Sequence, residues 1–204
     1  MKRFFDLLIS IVAIITLAPV LLVIALWIVV DSGLPFYFKH RRIGKNGVSF
    51  NMYKFRTMYN NSEDVKGITL GKIDQRITFI GRYLRRYKLD ELPQLINILR
   101  NEMSLVGYRP QVPYYVEKFK ELYTPLLQHK PGIVSTAAIQ YRNEENLLAE
   151  QQNPELYFEK VLIPKKCELD KLDMERLTVK KYLSLLIYFF FSYFLTPKEN
   201  QKHF

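Results

Sequence analysis

The sequence predicts an α+β chain, mostly helical. An N-terminal re-entrant, proline-broken membrane helix precedes a small cytoplasmic domain with a β-hairpin and several amphipathic interfacial helices. Three observations predict it. Leu7 to Val30 is an uncharged run of 24 residues with Pro19 in its middle. Gly44-Lys45-Asn46-Gly47 supplies turn chemistry between two stretches of imperfect alternation. Beyond Gly81, apolar residues recur largely at helical spacing. On this reading residues 1–35 are the anchor, 36–181 the cytoplasmic domain, and 182–204 an apolar C-terminal helix and tail at the membrane interface.

As a straight helix the apolar run would reach about 36 Å, more than the roughly 30 Å of a bilayer's hydrocarbon core. It is too long for a signal peptide, and no small-x-small cleavage site precedes Asp31. Pro19 removes a backbone donor and kinks the helix. Both flanks are basic, with Lys2 and Arg3 before and Lys39, His40, Arg41, Arg42 and Lys45 after. Positive charge favours the cytoplasmic side at both ends. A helix that bends at Pro19 and returns to the same face satisfies both observations; a kinked full span is the alternative these residues leave open. Trp27 suits an interfacial anchor.

The hairpin is expected over Phe36 to Met58, with Lys54 and Arg56 on a solvated strand face. Asn60 to Gly71 is polar and reads as a loop. Arg82-Tyr83-Leu84-Arg85-Arg86-Tyr87 reads as a short basic amphipathic helix, suited to anionic lipid or to a diphosphate. Pro113 to Tyr123 has helical spacing, and Lys130-Pro131-Gly132 is a turn before the apolar Ile133 to Ile139. Asn153-Pro154 pairs an N-cap with proline at the first helical position, and Pro164 starts a further helix with Cys167, Leu169 and Leu172. Tyr182 to Leu195 is uncharged but short for a span, so it is expected at the interface or against the domain.

The net charge of +10 is unevenly placed. Residues 1–88 hold 15 Lys/Arg against 5 Asp/Glu, and residues 89–204 hold 15 of each. All the excess lies in the part that begins with the membrane segment, which points to an anionic bilayer or a phosphorylated substrate beside it. No nucleic-acid-reading motif accompanies it, so nucleic acid is not an expected partner. With one cysteine, Cys167, no internal disulfide or Cys-rich zinc site forms, and His40, His129 and His203 have no ligand spacing. A metal, if bound, is a hard cation held by oxygens.

The stretch with the most chemistry is Leu89 to Leu99. Leu92, Leu95, Ile96 and Leu99 fall on one helical face, Asp90 suits an N-cap, and Glu91 follows in the first turn. Arg82, Arg85, Arg86 and Lys88 precede them; Arg100 and Arg109 follow. Carboxylates among arginines fit phosphate chemistry with a divalent metal. Taken alone, the stretch favours helix capping as the explanation of the acidic pair, and spacing does not separate the two readings.

Several motifs together resemble the bacterial sugar transferases, the monotopic polyprenyl-phosphate phosphoglycosyl transferases. They are Lys2-Arg3 with Asp6, Pro19, Arg42-Ile43-Gly44-Lys45-Asn46-Gly47, Tyr53-Lys54-Phe55-Arg56-Thr57-Met58, Asp74 with Arg76-Ile77-Thr78, and Gly81-Arg82-Tyr83-Leu84-Arg85. The longest runs from Leu89-Asp90-Glu91-Leu92-Pro93-Gln94-Leu95 to Met103-Ser104-Leu105-Val106-Gly107-Tyr108-Arg109-Pro110. The resemblance implies transfer of a sugar-1-phosphate from a UDP-sugar to polyprenyl (undecaprenyl) phosphate at the cytoplasmic face of the bacterial inner membrane, with release of UMP. It implies Asp90 as nucleophile through a covalent phospho-sugar intermediate, and Glu91 with Asp90 as holders of Mg²⁺ or Mn²⁺. It also implies Arg85, Arg109 and Arg142 as phosphate-binding arginines, with Arg56 as a fourth candidate, and Pro19 as the break of a re-entrant helix. A homodimer is left open.

The chain departs from the family pattern at Tyr108, where proline is frequent, and around Val134-Ser135 and Tyr141-Arg142-Asn143, where Thr-Gly and Gly-Arg-Asn are frequent. These departures leave the transferred sugar undefined. Two other readings remain: a membrane-bound, metal-dependent nucleotide-sugar phosphodiesterase, and a non-catalytic basic membrane adapter.

Overall fold

A computed structural model of the chain describes residues 1–59 and 74–194, the last two by backbone only. The loop expected at Asn60 to Gly71 and the tail after residue 194 lie outside the described residues. The first helix, α1 (Lys2–Ser32), passes through Pro19 and ends at Gly33, whose φ of 81° stops the helix while its N–H still reaches the Val29 carbonyl. Only Asp6, Ser10, Ile24 and Ile28 of α1 are buried, so most of its apolar surface is unpartnered.

The hairpin forms as expected. Strands β1 (Tyr37–Ile43) and β2 (Ser49–Phe55) pair antiparallel from Tyr37 opposite Phe55 to Ile43 opposite Ser49. Asn46 and Gly47 turn the chain at positive φ. Cross-strand partners point to the same side, so Phe38, His40 and Arg42 share a face with Lys54, Met52 and Phe50. Lys54 is largely buried and Arg56 is buried, which corrects the solvated-face expectation.

The basic amphipathic helix is α2 (Phe79–Arg86), capped by Thr78, whose hydroxyl accepts from the Gly81 N–H. It buries Ile80 and Leu84 against Ile24, Ile28 and Phe55, and exposes Phe79 and Tyr83. The acidic stretch departs from expectation. Leu89–Glu91 is a 3₁₀ turn, Lys88 before it is left-handed, and α3 (Gln94–Leu99) begins only after Pro93. Asp90 therefore caps nothing. Pro93 has no N–H, so the turn before it closes through i→i+3 bonds and α3 starts afresh. The buried side of α3 is Gln94, Leu95, Asn97 and Ile98, whereas Ile96 and Leu99 are exposed.

A second sheet was not foreseen. Strands β3 (Ser104–Val106) and β4 (Gly132–Val134) pair in parallel, joined by a crossover through α4 (Pro113–Lys118) and α5 (Lys120–Tyr123). Each strand is three residues long, too short to show a period of two. The single helix expected from Pro113 divides at Phe119, whose ψ of 41° leaves the helical region. Then come α6 (Thr136–Gln140), α7 (Glu144–Ala149) and α8 (Pro154–Tyr157), the last capped by Asn153 as expected. Pro164 stands in the first turn of α9 (Ile163–Glu175), the expected helix with Cys167, Leu169 and Leu172, and a π-helical turn joins it to α8. The chain closes with α10 (Val179–Phe194). Tyr182 and Leu185 pack on the domain, while Ile187, Tyr188, Phe190 and Phe191 are exposed.

Both ends of α1 are fastened to this one domain. At its start, Asp6 accepts from Ser104 Oγ (2.9 Å), the Leu105 N–H (2.8 Å) and Tyr182 Oη (2.7 Å). Lys2 reaches the Leu177 carbonyl and Arg3 those of Ile98 and Leu99. At its end, Asp31 accepts from the Ile80 N–H, and Arg56 donates to Ser32 Oγ (2.8 Å) and the Gly33 carbonyl (2.5 Å). Asp6→Ala strands three buried donors and is expected to destabilise the protein by roughly 3 kcal/mol, against about 1 kcal/mol for Tyr182→Phe. Thermal unfolding in detergent measures both; equal, small losses would contradict the assigned role of Asp6.

Candidate active site

The hairpin, the 3₁₀ turn and the segment after β3 meet at one cavity of about 640 Å³. Asp90 and Glu91 line it and are both buried. The turn before Pro93 holds the two carboxylates side by side, but their partners differ. Arg109 grips Glu91 with both guanidinium nitrogens, at 2.5 Å to Oε1 and 3.2 Å to Oε2. Lys54 donates to Glu91 Oε1 at 3.0 Å and lies 3.6 Å from Asp90 Oδ2. Asp90 Oδ1 is buried and has no hydrogen-bond partner.

The electrostatics follow from this division. Burial alone would raise the Glu91 carboxyl, but Arg109, Lys54 and Lys88 outweigh it and hold the group well below its ordinary value of 4.5. Burial pushes the Lys54 ammonium down, while Glu91 and Asp90 favour its charged form. Arg42 falls to about 9 through burial and the neighbouring Arg109. It donates to Gln111 Oε1 at 2.7 Å and lies 3.2 Å from His40 Nδ1. Asp170 lines the same cavity, accepts from the Arg109 N–H at 3.3 Å, and is pushed by burial up to about 7.

The structure brings Asp90, Glu91 and Arg109 together as a unit. Arg85 lines the cavity from α2, donating to Thr57 Oγ1 and pairing with Glu145 at 3.3 Å. Arg142 also lines it, and its guanidinium meets the Ser192 carbonyl in the last turn of α10, where a cation suits the helix dipole. Arg56 borders the cavity and donates to Ser32 Oγ and the Gly33 carbonyl at the end of α1. Sequence reasoning missed Lys54, Arg42 and Asp170 as site residues. The signal for the first two was available: His40, Arg42 and Lys54 alternate onto one hairpin face once the register is drawn. Asp170 carried no motif.

The donor set suits a hard divalent cation. Asp90 presents an unpartnered buried oxygen beside Glu91. Among the described residues no cluster of three acidic, histidine or cysteine ligands forms. A ligand's phosphate oxygens and water would therefore complete the coordination, and the cation would share Glu91 with Lys54 and Arg109.

A sequence profile of the bacterial sugar transferases matches residues 1–187. The chain belongs to this family. It is 42% identical over 145 residues to an undecaprenyl-phosphate glucose phosphotransferase of Komagataeibacter xylinus, covering 68% of this chain and 27% of that one. It is 39% identical over 158 residues to the exopolysaccharide production protein ExoY of Sinorhizobium fredii, covering 70% of each. With an undecaprenyl-phosphate galactose phosphotransferase of Salmonella typhimurium it shares 38% over 160 residues, 71% of this chain and 33% of the relative. The match thus spans a third or less of the two phosphotransferases.

Glu91 and Asp170 predict opposite pH dependences. The folded value for Glu91 lies below its ordinary one, so its pairing stabilises fully above about pH 4.5 and is lost as pH falls through the folded value. Glu91→Gln should flatten that acid-side loss. The folded value for Asp170 lies above its ordinary 3.8, so its burial erodes stability as pH rises toward about 7 and no further above it. Asp170→Asn should flatten that decline. Thermal unfolding of each variant against the unsubstituted protein, across pH 3.5 to 8, checks both signs.

Proposed function

We propose that the protein is a membrane enzyme that moves a sugar-1-phosphate from a UDP-sugar to polyprenyl phosphate, with Asp90 as the nucleophile. The observation that carries this reading is the contrast within the acidic pair. Glu91 is neutralised by Arg109 and Lys54, whereas Asp90, which lines the same cation-rich cavity, keeps a buried Oδ1 with no hydrogen-bond partner. A carboxylate oxygen free of donors keeps its lone pairs for attack. The relatives' names, which specify undecaprenyl phosphate with glucose or galactose, support the acceptor and the class of donor.

In the first displacement, Asp90 Oδ1 attacks the phosphorus that bears the sugar. The bond from that phosphorus to the oxygen bridging to uridine monophosphate breaks, and UMP leaves with the electron pair. In the second, a phosphate oxygen of the lipid attacks the same phosphorus. The aspartyl oxygen leaves, Asp90 is restored as a carboxylate, and polyprenyl-diphosphate-sugar is released. Lys54, Arg109 and Arg85 stabilise charge on the phosphoryl oxygens. Asp90 and Glu91 would hold Mg²⁺, which supplies further neutralisation of phosphate charge when bound.

The lipid acceptor requires the cavity to lie beside a bilayer. We assign α1 to that bilayer, entering and leaving on one face, the cytoplasmic side of the inner membrane. The support is that Asp6 and Lys2 at its start and Asp31 at its end bind the same domain. The exposed Phe79 and Tyr83 of α2 and Phe190 and Phe191 of α10 fit interfacial contacts.

The test is intact-protein mass with Mg²⁺ and a panel of UDP-sugars, without lipid. The unsubstituted protein should gain the mass of one phospho-sugar and lose it on addition of undecaprenyl phosphate. Asp90→Asn should show no adduct, turnover lower by at least about a thousandfold, and near-unchanged thermal stability. UDP-sugar turnover with no adduct and no need of lipid would instead favour a phosphodiesterase.

A further inference from the structure

One residue ties the cavity to the basic helix beside it. Thr57 lies two residues beyond β2, is buried and lines the cavity. Its carbonyl accepts from the Thr78 N–H at 3.0 Å, at the start of α2. A Cβ at position 81 would collide with that carbonyl, so only glycine lets the first turn of α2 press this closely on Thr57. One turn further along α2, the Arg85 Nε–H donates to Thr57 Oγ1 at 3.1 Å. The main chain of Thr57 thus seats the helix, and its side chain seats the guanidinium that the helix carries into the cavity wall.

Two groups that hold Arg85 differ in kind. Glu145 lies 3.3 Å from Arg85 Nη1, but its side chain is 37% exposed, and a carboxylate competes with phosphate for the same charge. The Thr57 hydroxyl is neutral and buried. It fixes the guanidinium through Nε and leaves the positive charge uncancelled. A long side chain placed before the substrate arrives gives up less freedom when it binds. We propose that Thr57 is a positioning residue for the transfer, its hydroxyl holding the Arg85 guanidinium in the cavity wall to meet a phosphate group of the substrates. This rests on the transferase reading above, with Arg85 as a phosphate-binding arginine, and adds the group that places that arginine. Thr57 itself need touch no substrate.

The experiment follows UMP release by the full chain in nanodiscs with Mg²⁺, undecaprenyl phosphate and a UDP-sugar that the unsubstituted protein turns over. It compares Thr57→Val, which keeps the shape and removes the acceptor, with Thr57→Ser, which keeps the hydroxyl. The expected result is that Thr57→Val lowers kcat/KM about tenfold or more and that Thr57→Ser recovers most of the loss. If Thr57→Val fails to fold, Thr57→Ser and Thr57→Ala, which differ by the hydroxyl alone, read the same quantity. The deciding arm repeats Thr57→Val in Arg85→Ala, itself expected to lose about a hundredfold. There the second substitution should cost less than about twofold, because the hydroxyl has no guanidinium left to hold. Arg85→Lys, which has no guanidinium, serves this arm if Arg85→Ala turns over too slowly to follow. Adduct formation without lipid and its discharge onto undecaprenyl phosphate are timed separately: a slower first step in Thr57→Val marks the donor's phosphate as the partner of Arg85, and a slower second step alone marks the lipid's. A full tenfold loss in the Arg85-substituted background would overturn the proposal, since Thr57 would then act without Arg85. Equal activity of the Val and Ser variants would also overturn it. Full activity of Arg85→Ala would instead overturn the phosphate role of Arg85, and no turnover by the unsubstituted protein with any donor would overturn the transferase reading itself.

Discussion

The first helix is held at both ends by buried polar contacts to one domain, and the rest of the architecture depends on that constraint. Asp6 joins α1 to β3 and α10 through three donors; Arg56 and Asp31 join its other end to β2 and α2. Between these points most of the helix exposes apolar side chains. A buried carboxylate that satisfies three donors is costly to break, so the helix is not a loose leash. The same contacts organise the domain. Arg56 lies two residues beyond Lys54, and Tyr182 lies in the first turn of the helix whose last turn meets Arg142. The helix mooring and the cavity therefore draw on the same short segments.

Within the cavity, function follows from unequal partnering of like groups. Asp90 and Glu91 are adjacent, both acidic and both buried. Arg109 and Lys54 neutralise Glu91, which lets a second carboxylate stay beside it with a free oxygen. A 3₁₀ turn before a proline serves this better than a regular helix, because it keeps both groups out of the capping role that would occupy the Asp90 oxygen. The structure thus turns a stretch that reads as an ordinary helix start into a display of one unbound carboxylate oxygen.

Much of this was legible in the sequence, for physical reasons that differ by element. The hairpin was readable because glycine and asparagine at positive φ leave a compositional mark. The Asn153 cap was readable because its partner is three residues away. The α3 face was misread: Ile96 and Leu99 fit helical spacing yet are exposed, while Gln94 and Asn97 are buried through hydrogen bonds and packing that spacing does not record. The parallel pairing of β3 with β4 joins residues far apart in the chain, and three-residue strands carry no periodicity. Lys54 was misplaced for a related reason. Alternation sorts strand residues into two faces, but only tertiary contact decides which face is solvated. Asp170 was invisible because a lone aspartate on a helix looks the same whether it meets water or a cavity.

The proposed path of α1, entering and leaving the bilayer on one face, is open to direct test. The direct measurement uses two proteins, each with one cysteine introduced beside the native Cys167, in sealed inverted membrane vesicles treated with a membrane-impermeant maleimide. One carries the cysteine in a short tag before Met1, the other at Val48 in the exposed hairpin turn, which reports the side of the domain. Cys167 is buried and serves as the internal control for folding. With both ends of α1 on the cytoplasmic face, both positions label from the outside of these vesicles without detergent. Labelling of Val48→Cys alone, with the tag protected until detergent is added, would place the ends of α1 on opposite faces and contradict that path.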